Sequence, residues 1–169
     1  MSRYSLEKIN KKTVERITNL GGRPLNLYRI LAHQPDMLEA WVEFAYTLRL
    51  SAKTSRHLRE LMILRTAQLQ NSSYEWYQHR IMARDAAVDD NQLTELAMWA
   101  SSNAFDAKEK AALALTEAII HGQVSDLIHA EVAKHFSASE MIELVMTASF
   151  YAMVPRVLDA LAVPIEDEE

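Results

Sequence analysis

The sequence predicts an all-α fold, a bundle of helices, and three observations carry that expectation. Apolar residues recur at spacings of three and four through nearly the whole chain, the period of a helix with a buried face. Only 3 glycines and 4 prolines occur among 169 residues, too few for the tight turns of a sheet-rich fold. Alanine, leucine, methionine, glutamate and arginine, all good helix formers, are abundant. A chain of this length fits one compact domain and can bury about two thirds of its unfolded surface. Its 49% apolar and 24% charged residues are those of an ordinary globular protein.

The helices follow in order. A first spans Thr13 to Leu20 and stops at Gly21, Gly22 and Pro24. A short one, Leu25 to Ala32, ends before Pro35. Asp36 is placed to cap a third, which runs to Leu50, and Ser51 to Ser55 form a polar turn. A fourth covers Arg56 to Gln70. The break Asn71 to Ser73 caps a fifth, Tyr74 to Ala87, and Asp89 and Asp90 cap a sixth, Asn91 to Ala100. Asp106 and Glu109 have capping-box spacing and open a long helix that reaches His121 and ends at Gly122. Ser125 opens another, to Phe136. Ser137 and Glu140 repeat the capping-box spacing, and the helix they start is apolar on every face, which places it centrally in the core. Pro155 inside it is expected to kink or break it.

Glu60 precedes His79 by nineteen residues, as Glu109 precedes His129 by twenty. Two degenerate copies of a three-helix unit would explain this; chance similarity among alanine-rich helices explains it equally well.

Composition excludes several functions. The net charge is −5 and no basic stripe occurs, so nucleic-acid binding has no electrostatic support. The chain has no cysteine, which removes disulfides, zinc–thiolate sites and thiol redox cycling together. Met1 to Asn10 lacks the apolar core of a signal peptide. The longest apolar stretch, Met141 to Val154, is interrupted by Glu143, Thr147 and Ser149 and reads as too short and too polar to span a bilayer. No membrane role is expected, and a cytoplasmic address follows by elimination.

The stretch from Leu58 to Ala86 carries the chemistry. On the fourth helix Glu60 shares a stripe with Ile63, Leu64 and Ala67, while Arg59, Thr66 and Gln70 mark the expected solvent face. A carboxylate among apolar neighbours needs a partner or keeps its proton. It can serve as a general acid or base, and a structural salt bridge or interface contact explains it as simply. On the fifth helix Ser72, Glu75 and His79 share a face. Glu75 and His79 are four apart and can pair across a turn, which would raise the histidine and fix its tautomer. A hydrogen-bonded core histidine is the plainer alternative. Three candidate ligands, Glu60, Glu75 and His79, fall short of a convincing metal site, and proton transfer accounts for them more simply.

The chain resembles the carboxymuconolactone decarboxylase / alkylhydroperoxidase D family. Redox members carry a glutamate and then, after eleven residues, Cys-x-x-Cys-x-x-x-His. Glu60 matches the glutamate and His79 the histidine, with Ser72 and Glu75 where the cysteines would be. The string Tyr74-Glu75-Trp76 followed by two residues and His79 is similar to the cysteine-free branch. Asn26-Leu27-Tyr28-Arg29 with His33-Gln34-Pro35 resembles the family's N-terminal segment. Glu143-Leu144-Val145 through Tyr151, Arg156 and Leu158-Asp159-Ala160-Leu161 resemble its C-terminal helix. The resemblance implies an N-terminal helix and turn over 1–24, a family domain over 25–165 and an acidic tail over 166–169. It also implies an alkylhydroperoxidase D-type fold in a homo-oligomer, trimer or hexamer.

Serine cannot replace cysteine in disulfide chemistry, so a peroxidase role is not expected. The expectation is instead a cofactor-free enzyme, without metal, moving protons on a small carboxylate or lactone as in the decarboxylase branch. Glu60 and His79 would share acid–base duty and Glu75 would orient His79, with Ser72, Tyr74 and Trp76 lining the pocket. Arg65 and Arg156 are the candidate cations for a substrate carboxylate, though a surface or interface salt bridge is the plainer role for each. A non-catalytic oligomer that binds a small apolar ligand or a partner remains the other expectation.

Overall fold

A computed structural model describes residues 2–166. Among the described residues every regular element is a helix, and the chain forms two compact units.

The first unit comprises residues 1–51 together with 156–169. It holds α1 (Lys11–Asn19), α2 (Asn26–Leu31) and α3 (Pro35–Leu50). Asn10 caps α1 by accepting from the Thr13 N–H at 2.9 Å. Ile17, Leu38 and Val42 are fully buried in it. Polar contacts from Thr13 to Glu39 and from Arg16 to both Glu39 and Glu43 join α1 to α3. The turn after α1 packs tightly: a Cβ on Gly22 would collide with the Tyr46 hydroxyl. α3 starts two residues earlier than Asp36 allows as a cap. Gln34 is its N-cap and Pro35, with no N–H to satisfy, fills the first turn, so Asp36 contributes only charge there.

The second unit, 52–155, holds α4 (Arg56–Leu69), α5 (Ser73–Asp85), α6 (Asp90–Glu95) with a 3-10 turn at Leu96–Met98, α7 (Ala107–His121) and α8 (Asp126–Ala133). It also takes most of α9 (Ala138–Leu161). α4 is the axis. Leu58 and Met62 join Ala112, Leu115, Val132 and Leu144 in one core cluster. Leu61 and Leu64 join Ala83, Val88, Leu96 and Leu113 in another. Each buried Leu, Val or Met among them contributes about 1.5–3 kcal/mol by leaving water. Wrapped from both sides, α4 has no broad solvent face. Arg59 and Thr66, expected to be exposed, are 4% and 1% accessible, and only Gln70 keeps partial exposure. The capping box at Asp106 and Glu109 forms as its spacing predicts, and Gly122 closes α7 in the left-handed conformation at φ 67°. The second half of the suspected repeat does not pair. Glu109 bonds His57 on α4 at 2.8 Å, while His129 is exposed.

α9 departs from expectation three times. It is not buried all round: Ile142 is 65% exposed, and Val145, Met146 and Met153 also face outward. It is not broken at Pro155, which lies inside a continuous helix. Nor is it too short: its 24 residues are long and apolar enough to cross a membrane by length and composition, with 44% of the apolar window buried in the protein. The seam between the units falls directly after Pro155.

Candidate active site

The site lies in the second unit, where α4 and α5 pack together. Ser55 caps α4 and Ser72 caps α5, each hydroxyl accepting a backbone N–H from three residues on. These caps fix where each helix begins and so which residues face across. Glu60, one turn into α4, points at His79 on α5. His79 Nδ1 and Glu60 Oε2 are 2.8 Å apart. Glu75, one turn before His79, places its Oε2 3.5 Å from Nε2. The three residues are 0%, 7% and 5% exposed for Glu60, His79 and Glu75. All three expected acid–base residues thus meet around one imidazole. The hydrogen bond that fixes the ring runs to Glu60, not to Glu75, the partner that i,i+4 spacing suggested.

Sequence reasoning missed two neighbours. Arg56, one turn before Glu60, ion-pairs with the carboxylate's other oxygen. Its spacing of four from Glu60 was a readable signal. Tyr151 on α9 sets its ring edge-on to His79 with centroids 5.0 Å apart. It lies too far along the chain for any local pattern to reveal.

Burial and charge compete at this cluster. Burial, the largest influence on His79, pushes the imidazole down. Glu60's charge and hydrogen bond, then Glu75's charge, outweigh it and hold the ring above its ordinary value of 6.5. Burial also dominates at Glu75 and raises it above 4.5, against His79 and with Glu60 adding repulsion. Glu75 Oε2 has no hydrogen-bond partner among the described residues. With Nδ1 given to Glu60, Nε2 is the nitrogen that faces Glu75, 3.5 Å away and with no hydrogen bond between them. Among the described residues no three His, Cys, Asp or Glu side chains are arranged to hold a metal ion.

The remaining candidates play other parts. Ser72 spends its hydroxyl on the cap of α5. Tyr74 is buried, and Trp76 packs against the core cluster around Leu61 and Leu64. Arg65 bonds Glu117 at 2.7 Å and Gln68 at 2.8 Å, the salt bridge expected of it. Arg156 is exposed in the first unit.

The sequence profile of the carboxymuconolactone decarboxylase family matches residues 35–118, which include Glu60, Ser72, Glu75 and His79. Residues 35–118 belong to this family. No curated protein matches it. Among solved structures it is similar to an alkylhydroperoxidase AhpD core, an uncharacterized peroxidase-related protein from Ralstonia eutropha. The TM-score is 0.83 at 17% identity, over 98% of this chain and 93% of that one. A peroxidase-related protein from a Silicibacter species gives 0.82 at 18% identity, over 98% and 92%. A cysteine-to-alanine variant of the debrominase Bmp8, solved with 2,3,4-tribromopyrrole, gives 0.79 at 17% identity, over 98% and 94%. At such identities the likeness establishes the carboxymuconolactone decarboxylase-like, all-α fold and nothing finer.

Proposed function

We propose that this family member is a cofactor-free acid–base enzyme of the lyase type, acting on a small carboxylate or lactone. The observation that carries the reading is the buried chain Glu60–His79–Glu75. A carboxylate holds one ring nitrogen and a second carboxyl group, raised by burial, faces the other. Glu75 has the character of the proton donor. As the C–CO2⁻ bond breaks, its electron pair stays on carbon and takes the Glu75 proton. His79, as an imidazolium stabilised by Glu60, then returns a proton from Nε2 to Glu75 and takes its replacement from solvent. Glu75 and His79 are the catalytic pair in this scheme and Glu60 positions the ring. The 169 residues contain no cysteine, so a thiol peroxidase step is not open to them.

The direct test is turnover of γ-carboxymuconolactone or related lactones in D2O, reading CO2 release and deuterium placed on carbon. His79→Gln and Glu75→Gln should each lower kcat by on the order of 10²–10⁴ with helicity unchanged. Unchanged turnover in a folded His79→Gln variant defeats the proposal.

One observation favours a second reading, a non-catalytic binder of a small apolar ligand. A groove of about 650 Å³ along α8 and α9 is lined by Phe136, Met141, Ile142, Val145 and Met146, with His129 at its edge. Ligand binding there would survive His79→Gln. We also propose that copies of the chain assemble as a trimer or hexamer; the outward apolar face of α9 suits such an interface.

A further inference from the structure

Glu60 and Glu75 flank the same imidazole but are not equivalent. Glu60 grips Nδ1 at 2.8 Å with one oxygen and is ion-paired through the other with Arg56. Among the described residues Glu75 ion-pairs with no cation besides His79, 3.5 Å away. Arg56 is also the member of the chain nearest water. Its side chain is 26% exposed, against 0% for Glu60, 8% for His79 and 6% for Glu75. Its guanidinium reaches the Met82 sulfur on α5 at 3.7 Å, so the group spans both helices.

We propose that Arg56 is a positioning residue that divides the two carboxylates by role. Paired with Arg56, Glu60 stays the anion that grips His79, and the exchangeable proton resides on Glu75. This rests on the acid–base reading of the site.

The physics follows from the pairings. A guanidinium keeps its charge at any working pH, so it favours the ionised form of the carboxylate it touches. Two carboxylates around one imidazole otherwise compete for the same proton. Without Arg56, Glu60 would be a fully buried anion that has lost an ion pair, and taking up a proton would relieve that cost. His79 would then lose the anion that fixes its tautomer, and the ring's proton could pass to the wrong side. With Arg56 in place the proton has one acceptor direction, toward Glu75. Of the other groups around the cluster, Arg59 also feels the charge of Glu60, but burial and Arg56 hold its own charge down, and Tyr151 on α9 presents a ring edge to His79.

Infrared spectroscopy of the carboxyl C=O stretch on the whole chain at neutral pH tests this without substrate. The native protein should show one buried protonated-carboxyl band, and Glu75→Gln should remove it. Arg56→Gln should add a second band that is absent from the double variant Arg56→Gln/Glu60→Gln. Arg56→Lys, which keeps the charge, should return the native pattern. A native band that survives Glu75→Gln, or the absence of any such band, overturns the proposal even if Arg56→Gln does not fold. So does a folded Arg56→Gln with the native spectrum, or a folded Arg56→Lys with the Gln spectrum. No turnover enters the measurement, so the division of roles can fail in an active enzyme and hold in a chain that decarboxylates nothing.

Discussion

A carboxyl group sealed from water keeps its proton past the pH at which an unfolded chain gives it up. Glu75 is in that position, and the consequence for stability has a definite sign. Unfolded, it titrates near 4.5; folded, burial raises it, so the folded state binds the extra proton in between. Its contribution is full below 4.5 and is lost as pH rises through the folded value. His79 acts in the same sense one step higher. Its contribution is present below 6.5 and fades as pH climbs through its raised folded value. Glu39, lowered chiefly by its bond from Thr13, and Glu143, lowered by the Lys53 and Thr54 N–H groups against the cost of burial, work oppositely. Their contributions hold above 4.5 and vanish as pH falls through their folded values. The melting temperature should therefore decline from about pH 5 to 8. Glu75→Gln should flatten that decline, by roughly 2–4 °C for each kcal/mol removed. Parallel melting curves for the two proteins would show that Glu75 titrates normally.

At the level of elements, α4 decides most of the second unit. Leu61→Ala empties a site with 0% exposure and should cost about 2–5 kcal/mol in chemical denaturation. Leu127→Ala on α8, at 84% exposure, should stay within about 0.5 kcal/mol. Equal costs would mean that α4 is not the axis of the core. The same helix marks how far the sequence could be read. Its existence and Glu60's apolar setting were legible because periodicity reports one packed face. Arg59 and Thr66 were misjudged because that logic assumes the opposite face is wet, and here that face is enclosed as well. The caps within Asn71–Ser73 and at Asp106 were legible as local hydrogen-bond chemistry, whereas Ser55, the cap of α4, was read only as the end of a polar turn. The ends of α6 and α8 were not, since a 3-10 turn and a loop continue the apolar pattern beyond them. The meeting of Glu60 and His79 could be suspected from spacing and family likeness. The share taken by Arg56 and Tyr151 needed three dimensions, because no helical period links α9 to α5. For α9 itself the error ran the other way, as an apolar surface facing outward reads in sequence like a core.

For the whole molecule that outward surface carries the proposal of self-assembly. Ile142→Glu or Met146→Glu should shift the chain toward monomers in analytical ultracentrifugation with its helical signal intact. A native chain that sediments as a monomer at every concentration removes the proposal. The two units also differ in how the polypeptide supplies them. Residues 52–155 form an unbroken stretch, whereas the first unit needs both ends of the chain. Arg3 donates to the Ala160 carbonyl at 2.7 Å, and Asn26 donates to that of Pro164 at 3.2 Å. During synthesis α1 to α3 therefore emerge before α4 to α9 yet lack their partners at Ala160 and Pro164 until residues 52–155 have been made. The stretch bearing Glu60 and His79 can complete its own core sooner. The unit begun before it is thus finished after it, and α1 to α3 spend that interval open to proteases and chaperones.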